Sequence, residues 1–85
     1  MTTKPITGWT MSLVDCTVVI INEIEQGLTQ GCIAQTYAMA LISASRGIDE
    51  PDWGTINRAI IARWSMAGLE RIKRKAWKLA GRVLP

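Results

Sequence analysis

The chain has 85 residues, of which 48% are hydrophobic and 20% charged, with ten cations against seven acids for a net charge of +3. That length fills one core, so a single domain over residues 1–85 is expected, and the composition is too apolar for a disordered chain. Histidine is absent and there are two cysteines, which excludes Cys/His zinc sites and leaves two thiols that cannot complete a tetrahedral site alone.

The opening MTTKPITGW lacks the basic and then continuously apolar pattern of a secretory signal. No stretch reaches about 18 uninterrupted apolar residues, so no membrane span is expected and the location expected is cytoplasmic. From Trp9 to Leu28, Leu13, Cys16/Thr17, Ile20, Ile24 and Leu28 recur at three- and four-residue spacing, which predicts a helix closing at glycine. The β-branched run TVVII argues for a strand, but the polar residues on both sides keep the 3.6-residue period. A second helix follows, capped by Thr29, with Ile33, Ala34, Tyr37, Ala38, Leu41 and Ile42 on its apolar face and Gly47 at its end.

The segment IDEPDWG breaks the pattern. Asp52 is a plausible N-cap for a third helix whose face holds Trp53, Ile56, Ile60 and Trp64. Ser65 then decides between two arrangements. It caps a fourth helix with the stripe Leu69, Ile72, Ala76, Leu79 and Val83, or it lies inside one long helix from residue 53 to about 80, which Gly68 alone disfavours. The fold class expected is therefore all-α, a compact bundle of about four helices, and the two-helix version of the last part is preferred. Cys16 and Cys32 sit in apolar surroundings and are expected as buried, reduced, small hydrophobes. A core this small has little margin, and a homodimer would complete its burial.

Charge divides the chain sharply. Residues 1–54 carry two cations against six acids, a net of −4, and residues 55–85 carry eight cations against one acid, a net of +7. At 100° per residue, Arg71, Arg74, Lys75, Lys78 and Arg82 gather on one side of a helix, roughly a third of a turn from the apolar stripe. Such a strip concentrates positive potential where a polyanion can lie, although a solvated helix face is the plainer explanation for cations near a helix C-terminus. Trp53 and Trp64 share the core face, whereas Trp77 lies at the margin of its stripe and suits either a core edge or an interface anchor. The acids Asp49, Glu50 and Asp52 fall together in the loop, where solvation and capping explain them. With no histidine and no glycine-rich phosphate loop, no enzymatic activity, cofactor or small-molecule substrate is expected.

INRAIIARWSMAGLERIKR, beginning at Ile56, resembles the helix-turn-helix of DNA-binding proteins, with Ala59 as the small residue at the crossing and Leu69 and Ile72 in the second helix. It departs from that pattern where Arg63 stands at the usual glycine of the turn and Arg58 at a usually apolar place. The resemblance implies a recognition helix over residues 68–77, with Arg71 and Arg74 reading bases and Lys73, Lys75, Lys78 and Arg63 completing the DNA-facing set. The whole chain also resembles the short accessory proteins of temperate phages and prophages, many of which act on host transcription or host proteins. Duplex DNA is thus the favoured partner. The alternative is an acidic host protein met by Trp77 and Arg82, with the chain as a small interaction module or inhibitor. A membrane-surface helix ranks last, because the same apolar stripe is needed for the core.

Overall fold

The computed structural model describes residues 15 to 84. They form three helical spans, α1 (Cys16–Glu25), α2 (Gln30–Ser45) and α3 (Trp53–Ala80), and among the described residues there is no strand. The all-α expectation holds, and three spans stand where four helices were expected. Trp9 and Leu13, in the stretch from which the first helix was expected, lie outside the described residues.

α1 forms in spite of its β-branched run because burial outweighs a weak propensity. Thr17 and Ile20 are buried and Ile24 packs against the core from its edge. Two carboxylates supply its N-terminus. Asp15 Oδ1 accepts the Thr17 amide at 2.9 Å, and Asp49 Oδ2, from the loop before α3, accepts the Cys16 amide at 3.1 Å. The helix closes at Gly27, φ +81°, with the Leu28 amide donating to the Glu23 carbonyl and the Gly27 amide to the Ile24 carbonyl. This is the paired arrangement that a left-handed residue after a helix makes possible. α2 starts at Thr29, whose hydroxyl accepts the Cys32 amide at 3.2 Å, and it ends at Gly47 with the same two-bond closure.

α3 begins at Asp52, whose carboxylate accepts the Thr55 amide at 3.1 Å and the Thr55 hydroxyl at 2.8 Å. These bonds hold the carboxyl below its ordinary value. The span from 53 to 80 is broken at the residue expected: Ser65 alone leaves helical conformation, at φ 68° and ψ 179°, so two helices meet there across a kink. A side chain at such angles is strained, since that region belongs almost entirely to glycine. The positive φ falls at Ser65, two residues after Arg63, which stands at the usual turn glycine of the helix-turn-helix pattern.

Gly68 gives the bend its room. The break brings the Trp64 side chain against the backbone of residue 68, where a Cβ would overlap Trp64 Cβ and stand 3.3 Å from Cγ. Glycine at 68 is a requirement of that close approach, which the sequence reading priced only as a lost helix propensity.

The core lies between α2 and α3. Ile33, Ala40, Ile56, Ile60, Ala76 and Ala80 are fully buried, with Tyr37 and Leu69 almost so, and α1 closes one side through Ile20. Tyr37 stacks at a tilt on Trp53, ring centroids 5.0 Å apart, and its hydroxyl donates to Asn57 Oδ1 at 2.9 Å. Two core expectations are corrected. Val83 is 53% exposed, because the helix ends at Ala80 and the backbone turns before the stripe can recur. Cys32 is exposed and not buried, since it shares the outer side of α2 with Gln35 and Met39. Cys16 is half-buried beside Asp49, and burial together with that carboxylate pushes its thiol from 9.0 up to about 11.

Candidate functional site

The stretch of α3 after Ser65, residues 66–80, rests on the core through Leu69, Ile72, Ala76 and Ala80. Those four positions fix which side faces outward. Arg71, Arg74, Lys75 and Lys78 are all exposed, and together they wall one open hollow of about 330 Å³. Four side chains of one sign around a common space leave a concentrated positive potential there. The structure brings these four predicted residues together.

α2 completes the inner edge of this cationic ridge. Gln30, its first residue, accepts a hydrogen bond at Oε1 from Arg71 Nε, 3.2 Å away, and its Nε2 lies 3.6 Å from where a Gly68 Cβ would be. Gln30 is thus wedged between the glycine and the arginine, and it fixes the direction of the Arg71 side chain. Only one of five guanidinium donors is spent, so both terminal nitrogens keep their hydrogens for an acceptor. Beside it Lys75 reaches back to Gly31, its Nζ 3.6 Å from the place of a Cβ at 31, an ordinary contact distance. Gln30, Gly31, Ala34, Arg71, Ile72 and Lys75 line a cleft of about 230 Å³ that shares Arg71 and Lys75 with the hollow. Neither Gln30 nor Gly31 was singled out from sequence. A glutamine at the first position of a helix carries no signal of its own, and its partner is 41 residues away.

The remaining predicted residues lie elsewhere. Lys73 is half-buried and does not line the hollow. Arg63 lies before the break, its guanidinium 5.6 Å from the ring centre of Trp64. Arg82 is exposed in the turn beyond α3. Trp77 is 55% exposed, which makes it a surface side chain and not a core edge. Ala67 and Glu70 are exposed. Among the described residues no group of three or more Cys, Asp or Glu side chains is placed to hold a metal ion, and no helix is long and apolar enough to cross a membrane.

No family model, curated protein or solved structure matches the chain.

Proposed function

We propose that the chain is a small DNA-binding regulatory protein that lays the second part of α3 on duplex DNA. The observation that carries this reading is the grouping of Arg71, Arg74, Lys75 and Lys78 around one open hollow on the solvent side of a helix anchored from behind. An α-helix fits the major groove, and a span of seven residues, roughly 10 Å, lets one helix meet base edges and flanking phosphates together. Arg71, steadied by Gln30, and Arg74 are the base readers. Lys75 and Lys78 hold phosphates, with Arg82 extending the ridge past the helix end. A cytoplasmic site of action and a phage or prophage origin belong to the same reading. So does the absence of catalysis.

The test is duplex binding measured across a salt series. Replacing Lys75 and Lys78 by Ala should weaken binding to every duplex and flatten the log–log salt slope by about 1.8, since each phosphate contact contributes about 0.9. Replacing Arg71 and Arg74 should remove sequence preference at about 1–3 kcal/mol for each lost base contact. Unchanged duplex affinity at low salt in all four variants would sink the reading and turn attention to an acidic protein as the ridge's partner.

A further inference from the structure

We propose that the outer stripe Met66, Glu70, Lys73 and Trp77 of α3 is a self-association surface, on which a second copy of the chain packs antiparallel about a twofold axis. The inference goes beyond the DNA reading and holds whatever meets the cationic ridge.

The four residues follow one another at spacings of four, three and four, so they share one side of the helix within roughly 60°. That side is open at Met66, Glu70 and Trp77, and Lys73 is half-buried at its edge. Met66 is 56% and Trp77 55% exposed, the two most exposed large apolar side chains of α3, and Glu70 is exposed between them. Arg71, Lys75 and Lys78 lie roughly 110–170° further round the same helix and Arg74 roughly 70°. A partner seated on the stripe therefore leaves Arg71, Lys75 and Lys78 open and borders Arg74.

The order of chemistry along the stripe is apolar, acid, base, apolar. Reversing the direction of the helix about a point between Arg71 and Ile72 carries position 66 onto 77 and position 70 onto 73. In a second copy related by that twofold, each Met66 meets the partner's Trp77 and each Glu70 meets the partner's Lys73. A twofold interface uses the same patch on both subunits, so a patch must be complementary to its own reverse, and this one is. The charge pairs fix register and direction, while sulfur–aromatic contacts supply the burial. A polyanion would meet Glu70, and a cationic partner would meet Lys73. A second copy satisfies both.

Sedimentation equilibrium on the full chain, from micromolar to millimolar concentration, tests this directly. The wild type should show a monomer–dimer equilibrium. Glu70→Lys and Lys73→Glu should each be monomeric, because each sets like charges opposite one another across the twofold. Mixed in equal amounts, the two variants should recover a dimer, since every Lys then faces a Glu; recovery also shows that both are folded. Trp77→Ala should weaken the dimer at least tenfold with an unchanged helical circular dichroism spectrum. A wild type that stays monomeric throughout would overturn the proposal. So would charge variants that dimerise like the wild type, or a mixture that stays monomeric.

Discussion

The two cysteines differ more than their similar sequence surroundings suggest. Cys32 stands on the outer side of α2, whereas Cys16 is half-buried with Asp49 against its amide and its thiol pushed up to about 11. Only the thiolate reacts with alkylating reagents. At pH 8, iodoacetamide should therefore label Cys32 first, with Cys16 following only as the pH approaches 11; mass spectrometry of time points reads the order. Equal labelling rates would contradict the placement of Cys16. The same shift sets a sign for stability. A folded pKa raised above the ordinary 9.0 favours the neutral thiol, so this contribution is full below pH 9 and is lost as pH rises through about 11. Cys16→Ser, which has no thiol to titrate, should lose less stability than the wild type across that window.

At the scale of the element, the bend in α3 joins two residues that work against each other. Ser65 carries the strain of a positive φ, and Gly68 supplies the gap into which Trp64 closes. Ser65→Gly should relieve that strain and, after the entropy glycine loses on folding, stabilise by about 0.5–1 kcal/mol. Gly68→Ala should cost about 1–3 kcal/mol, as overpacked interior sites do. Urea unfolding of both variants measures the two signs, and a neutral Gly68→Ala would mean that Trp64 does not lie against residue 68. Much of the fold was legible in the sequence because it is written in local chemistry. Thr29 and Asp52 cap where they were expected to, and Gly27 and Gly47 end their helices with the backbone only glycine adopts freely. The bend was legible in part: Ser65 stood out as the place where a new helix could start, but its positive φ and the contact of Trp64 with the backbone of residue 68 leave no trace in residue type. For the same reason the cations of the ridge could be grouped by helical period, while Gln30 and Gly31, which arrive from another helix, could not.

In the molecule as a whole, most packing joins α2 to α3, and α1 is the lighter partner. Only Thr17 and Ile20 of its ten residues are buried. What fastens it is a pair of reciprocal stitches to the loop before α3. Asp49 accepts the Cys16 amide, and Thr17 Oγ1 accepts the Asp52 amide at 2.8 Å. Asp49→Ala should thus loosen α1 while leaving the α2–α3 packing intact. Native-state hydrogen exchange reads this residue by residue: amides of α1 should exchange faster in the variant, and those of Ile60 and Ala76 should keep their rates. Uniform acceleration would mean that the three helices open as one unit. Because so little of α1 is buried, breaking those two stitches releases it at a small loss of apolar burial. α1 is then the first helix to leave, a partially open form reached without surrendering the rest of the fold.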